Sequence, residues 1–203
     1  MTRLVADARQ AGLLVILDAK RGDVGSTNDA YAEAYLGKGA PIAVDALTVH
    51  PYLGVGAMGS LVERADESGS CLLLVTRSTN PEGRIVQAAA GPTGRRVEEA
   101  VLDEIADLNR RLAPGRIGPV GAVVGPRRDT AELDLVAPQA LYLAPGAGAQ
   151  GATAEDVAEA FAACPDRVMP SASRSLLEAG PDVGRLRDGV VALAEEVRRL
   201  LGA

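Results

Sequence analysis

Residues 13–27 read LLVILDAKRGDVGST. Five consecutive apolar side chains, Leu13 to Leu17, run straight into Asp18-Ala19-Lys20-Arg21-Gly22-Asp23. A short apolar run with Gly12 on one side and charge on the other predicts a strand over residues 13–20, buried on both faces. Strand side chains alternate, so Asp18 and Lys20 project to the same side. Asp23 lies past Gly22, where the chain has left the strand. Three ionisable groups therefore meet at the exit of a buried strand, where charge is costly unless it pairs.

The same pattern recurs downstream. Apolar strands are predicted over residues 41–49, 71–76, 117–124, 140–144 and 167–170. Helices alternate with them over residues 29–36 (capped by Asn28), 56–68, 93–112 and 130–135, again after a Thr153 cap, and over 182–201. The closing helix should bury Val183, Leu186, Val190, Val197 and Leu200. Ahead of the first strand, residues 1–10 read as the last turns of a helix, with Gly12 as a C-terminal cap and no N-cap of their own. Strand–helix alternation implies parallel strands with crossover helices. No G-x-G-x-x-G turn follows the first strand and there is no P-loop lysine, which argues against an open nucleotide-binding sheet. Polar clusters stand instead at the C-terminal ends of several strands, as in a TIM-type (β/α) barrel. The expectation is a single α/β barrel domain over residues 1–203, with six of the eight strands present and the N-terminal two missing.

Composition narrows the function. With one Phe, four Tyr and no Trp, the core must be filled by aliphatic side chains. A formal net charge of −6, with no basic run interleaved with aromatics, argues against a nucleic-acid partner. It leaves room for a small anionic ligand held by local cations and backbone N–H groups. Cys71 and Cys164 have no metal-type spacing, and the single His50 cannot complete a site with them, so no metal is expected. A reduced, cytoplasmic setting without membrane insertion fits the absence of a signal peptide and of long apolar runs.

Two loops point to phosphate. Barrels of this type often bind phosphate with the loops after their last two strands. Here those loops are PGAGAQGA (145–152) and SASR (171–174), offering glycine N–H groups, the Gln150 amide and the Arg174 guanidinium. Singly, each is as readily a flexible turn or a surface residue; together, in these positions, they favour phosphate. For a D-x-K-x-x-D spacing alone, a salt-bridged strand end is the simpler account. The functional account is a lysine kept as an ammonium by neighbouring carboxylates, able to stabilise a carbanion and then protonate it.

The run DAKRGDVGST (18–27), followed by VHPYLG (49–54), RSTNPEG (77–83) and LAPGAGAQGAT (143–153), resembles the orotidine 5'-phosphate decarboxylase family in its actinobacterial form. The resemblance implies a TIM-type barrel, active as a homodimer with a shared site. It would decarboxylate orotidine 5'-phosphate to UMP without metal or cofactor. Lys20 would match the proton donor to C6 and Asp18 the carboxylate beside the leaving CO2. Asp23 and Thr27 would match residues reaching the neighbouring subunit's site, and Thr79 the hydroxyl at the pyrimidine, although the usual order there is Thr-Ser and this chain has Ser78-Thr79. Gln150 and Arg174 would match phosphate contacts; His50 stands where Ser or Asn is commoner. The family also carries an Asp on its first strand and a Lys on its second, both absent here. The resemblance therefore implies a fragment, inactive or marginally stable alone. The competing readings are a Mg²⁺-dependent sugar-phosphate lyase or decarboxylase of the same superfamily, and a non-catalytic phosphate-ligand binder.

Overall fold

The computed structural model describes residues 1–146 and 153–202. Six strands form one sheet in chain order: β1 (Ile16–Arg21), β2 (Ala46–Val49), β3 (Cys71–Arg77), β4 (Val120–Val124), β5 (Tyr142–Pro145) and β6 (Val168–Ser171). Every neighbouring pair is parallel. Helices alternate with them: α1 (Thr2–Gln10), α2 (Ser26–Tyr35), α3 (Gly59–Ser68), α4 (Arg84–Gln87), α5 (Val97–Leu112), α6 (Ala154–Ala160), α7 (Arg174–Leu177) and α8 (Val183–Leu201). The predicted strand count is met, whereas the helix expected over residues 130–135 is a 3-10 turn over Arg128–Glu132, and the short helices α4 and α7 fall between the predicted elements.

Burial on two faces follows the strand period. Along β3, Leu72 and Leu74 face the helices and join the main core, while Leu73 faces the other way. On that inner side Leu73 meets Ala46, Val123 and Leu143, with Ile16, Val75 and Met169 packed alongside. In a flat sheet of six strands, spacing of ~4.8 Å would set the edges ~24 Å apart. Here β1 and β6 line one cavity of about 530 Å³, so the sheet curls around a common interior. Among the described residues β1 and β6 pair with β2 and β5 and not with each other, giving an open barrel.

That openness corrects two expectations. The strand expected over residues 13–20 begins only at Ile16, and it is not buried on both faces; Leu14 is 84% exposed. As a sheet edge, β1 has a neighbour on one flank only. Likewise α8 buries none of its residues, and Val183 (69% exposed) and Val190 (53%) face solvent. The helix packs chiefly on α6 and α7 and sends Leu201 to the main core. Asn28 is also not a cap. It lies inside α2, fully buried, with its amide donating to the backbone oxygens of Asp23 and Ala57 (2.6 and 2.8 Å). The expected Thr153 cap is present, accepting from the Asp156 N–H.

Candidate active site

The cavity opens at the C-terminal ends of the strands. Its apolar floor is Ile16, Val75, Val123 and Leu143, and its rim carries Asp18, Lys20, Ser78, Thr79, Asn80 and Arg174. Strand-end residues converge there because parallel strands in a curled sheet all leave in the same direction.

Lys20 is placed by an irregularity in β1. Leu17 pairs with Leu47, yet Arg21 pairs with Val49, so β1 spends more residues than β2 over the same span. Lys20 sits in that bulge at φ 47°, a left-handed conformation that costs a non-glycine residue energy. Its Nζ donates to both oxygens of Asp18 at 2.6 Å. The pair is about half exposed, Lys20 at 53% and Asp18 at 57% of their side-chain surface, rather than desolvated as expected at the exit of a strand buried on both faces. The backbone N–H of Lys20 donates to the Thr48 hydroxyl (2.9 Å), which in turn donates to Asp18 Oδ1 (2.9 Å).

The loop after β3, which carries Ser78 and Thr79, is fixed from behind. Gln87 on α4 accepts from the Ser78 N–H (3.1 Å) and donates to its hydroxyl (2.8 Å). Gly125 after β4 lets this loop approach; a Cβ there would stand 2.9 Å from the Thr79 methyl. Arg77, immediately before the loop, is fully buried and donates through Nε and Nη2 to both oxygens of buried Glu98 (2.8 and 2.6 Å). It also faces Asp129 (3.3 Å), which Arg84 and Arg127 share. Burial alone would push the Asp129 carboxyl up; Arg77, the hydrogen bond from Arg84 and the charge of Arg127 together hold it below the ordinary value of 3.8. Arg127 also donates to the Thr79 carbonyl (3.4 Å).

The other residues singled out from sequence fall in three groups. Asp18, Lys20, Thr79 and Arg174 line the cavity together. Asp23 and Thr27 do not: both are half-buried, neither is among its lining residues, and Asp23 makes no ion pair with Lys20. Its carboxylate instead accepts from the Val24 N–H (2.8 Å). Gln150 lies outside the described residues. His50 is half-buried behind Gly22, its N–H bonded to the Arg21 carbonyl (2.8 Å). Arg95 and Arg96 pair with acids of α5, and Arg84 with Asp129. Sequence reasoning missed Thr48 and gave no role to Ser78, Ser171 or Ser173, although Ser78 directly follows β3, Ser171 ends β6 and Ser173 lies in the loop after it. Among the described residues no cluster of three or more His, Cys, Asp or Glu could hold a metal, and no helix is long and apolar enough to cross a membrane.

Comparison with known proteins agrees with this arrangement. The sequence profile described as "Orotidine 5'-phosphate decarboxylase / HUMPS family" matches residues 2–188. This chain belongs to the orotidine 5'-phosphate decarboxylase / HUMPS family. Orotidine 5'-phosphate decarboxylase of Salinispora arenicola is 44% identical over 197 residues, covering 97% of this chain and 70% of that protein. The Streptomyces coelicolor enzyme of the same name is 46% identical over 200 residues, 98% of this chain and 71% of its own length. A crystal structure assigned to orotidine 5'-phosphate decarboxylase from Streptomyces avermitilis superposes with a TM-score of 0.93 at 45% identity, covering 100% of this chain and 70% of that one. The open six-stranded sheet is thus the decarboxylase family's barrel over the part this chain spans.

Proposed function

We propose that this chain decarboxylates orotidine 5'-phosphate to UMP in pyrimidine nucleotide synthesis, with Lys20 as the proton donor. The observation that carries the reading is the Asp18–Lys20 pair, two hydrogen bonds of 2.6 Å on the wall of a cavity that also presents Arg174. Arg174 and Gln150 take the phosphate dianion, a fork of guanidinium donors suiting its oxygens. Thr79 meets the pyrimidine. Asp18 lies beside the substrate carboxylate, whose negative charge it disfavours in the ground state. As the C6–CO2 bond breaks, its electron pair stays on C6; the Lys20 ammonium stabilises that charge and passes one proton to it, leaving UMP, CO2 and a neutral amine. The amine then recovers its proton from solvent.

Asp23 and Thr27 act in the site of a second copy. They follow β1, and the segments after β1, β2 and β3 expose Val24, Tyr52, Leu53 and, on α4, Ile85 and Val86. Exposed apolar side chains of that kind suit a symmetric homodimer contact. The reaction and this arrangement belong to the cytoplasm. The test is loss of orotidine 5'-phosphate absorbance with the protein expressed from its full reading frame, with and without EDTA. Turnover that survives EDTA and is lost in Lys20→Ala supports the reading. Turnover that Lys20→Ala leaves intact refutes it.

A further inference from the structure

We propose that Thr48 is the positioning residue of the Asp18–Lys20 pair: its hydroxyl holds the left-handed bulge of β1 and aims both side chains into the cavity. Thr48 lies on β2 and is fully buried. It faces the barrel interior, one alternation along from Ala46, which belongs to the inner core. Its hydroxyl closes a ring of hydrogen bonds. The Lys20 N–H donates to Thr48 Oγ1 at 2.9 Å, and Thr48 Oγ1 donates to Asp18 Oδ1 at 2.9 Å. Lys20 Nζ then donates to the same Asp18 oxygen at 2.6 Å.

The chemistry requires a hydroxyl here. A bulge removes the Lys20 N–H from the regular ladder with β2, so that donor needs another acceptor. The Asp18 carboxylate needs a donor as well. One group that both accepts and donates serves the two, which neither an apolar side chain nor a carboxylate can do. Among the described residues, the other acceptor hydrogen-bonded to this hydroxyl is the Leu17 carbonyl, at the longer distance of 3.5 Å. The left-handed φ of 47° at Lys20 is a conformation that persists only where neighbours fix it. Among the described side-chain hydrogen bonds, the Thr48 hydroxyl is the one that binds the Lys20 backbone. Thr48 does not line the cavity, so it acts through Asp18 and Lys20 and not on the substrate.

The inference rests on the proposed decarboxylation by Lys20, and the experiment separates the two. Thr48→Val keeps shape and removes the hydroxyl; Thr48→Ser keeps the hydroxyl and removes the methyl. Both are compared with the parent protein and Lys20→Ala, each expressed from the full reading frame. Misplacing the pair should lower kcat by about 100-fold in Thr48→Val, since an ångström-scale shift of reacting groups has that order of effect. KM and the affinity for UMP should stay within about threefold, because the phosphate and pyrimidine contacts are untouched, and Thr48→Ser should keep kcat within about threefold. A role in fold stability alone would not split kcat from KM, nor be rescued by serine. The ¹⁵N-lysine amide signal that disappears in Lys20→Ala reports the hydrogen bond without turnover. It should lose hydrogen-exchange protection in Thr48→Val and keep it in Thr48→Ser. If Lys20→Ala is inactive while Thr48→Val keeps the parent kcat, or if serine falls as far as valine, the role of Thr48 is overturned. If Lys20→Ala stays active, the decarboxylation reading fails instead, and unchanged protection in Thr48→Val would overturn the Thr48 contact in its own right.

Discussion

Removing the charge of Glu98 tests the architecture behind the Ser78-Thr79 loop. Arg77 and Glu98 are each 1% exposed, joined by two hydrogen bonds of 2.8 and 2.6 Å. Breaking a buried ion pair by deleting one partner costs about 3–5 kcal/mol, because the survivor stays desolvated. In Glu98→Gln, Arg77 keeps Asp129 at 3.3 Å and the Thr130 hydroxyl at 3.4 Å, which puts the loss near the lower end, about 3 kcal/mol. For a domain of this size each kcal/mol lowers Tm by about 2–4 °C, so the drop should be roughly 6–12 °C. Replacing both partners, as Arg77→Met with Glu98→Leu, removes both desolvation costs and should be milder than either single change. Thermal and urea unfolding of the two singles and the double form the cycle, with KM for orotidine 5'-phosphate measured alongside. KM should rise in the singles, since Arg77 directly precedes the loop proposed to meet the pyrimidine. A loss below about 1 kcal/mol in Glu98→Gln, or a double variant as unstable as the two singles added together, would refute the reasoning.

Asp129 gives a pH signature. Its folded carboxyl is held below the ordinary 3.8, so its contribution is complete above that value and is lost as pH falls through the folded value. Unfolding scans of the parent protein should therefore fall more steeply on the acid side than those of Asp129→Asn; parallel acid limbs would remove Asp129 from the account. Burial pushes the Cys71 thiol up to about 12, so a thiol-alkylating reagent at pH 8 should leave it unmodified in the native protein and label it in urea, as mass spectrometry would read directly. A Cβ on Gly22 would stand 2.6 Å from the His50 carbonyl, so Gly22→Ala must displace the end of β1 next to Lys20. Its kcat should fall about tenfold or more, and an unchanged kcat would show that this strand end can shift freely. Mixing inactive Lys20→Ala with inactive Asp23→Ala should restore about a quarter of parental activity if two copies share each site, and none if each copy works alone.

Much of the barrel was written locally. Apolar runs of strand length, punctuated by glycine and charge, marked all six strands; the charged end of the first and the loop after the last marked Asp18, Lys20 and Arg174 as neighbours in space, while Thr79 came from the family resemblance. Those features depend on side-chain period and on the rule that parallel strands leave a curled sheet at one end, and both can be counted along a chain. Burial could not be counted that way. Leu14, just ahead of β1, and Val190 on α8 carry the same apolar signal as Leu72, yet they face water because, among the described residues, little packs against that side of them. The charged partners were equally out of reach. Arg77 lies 21 residues from Glu98, and Thr48 lies 28 from Lys20. Their hydrogen bonds exist because neighbouring elements bring them within 3 Å, and the extra residues in β1 turn Lys20 inward, a backbone detail that no local propensity encodes. Residue type thus set which groups were available to react, while register and curvature of the sheet set which of them meet.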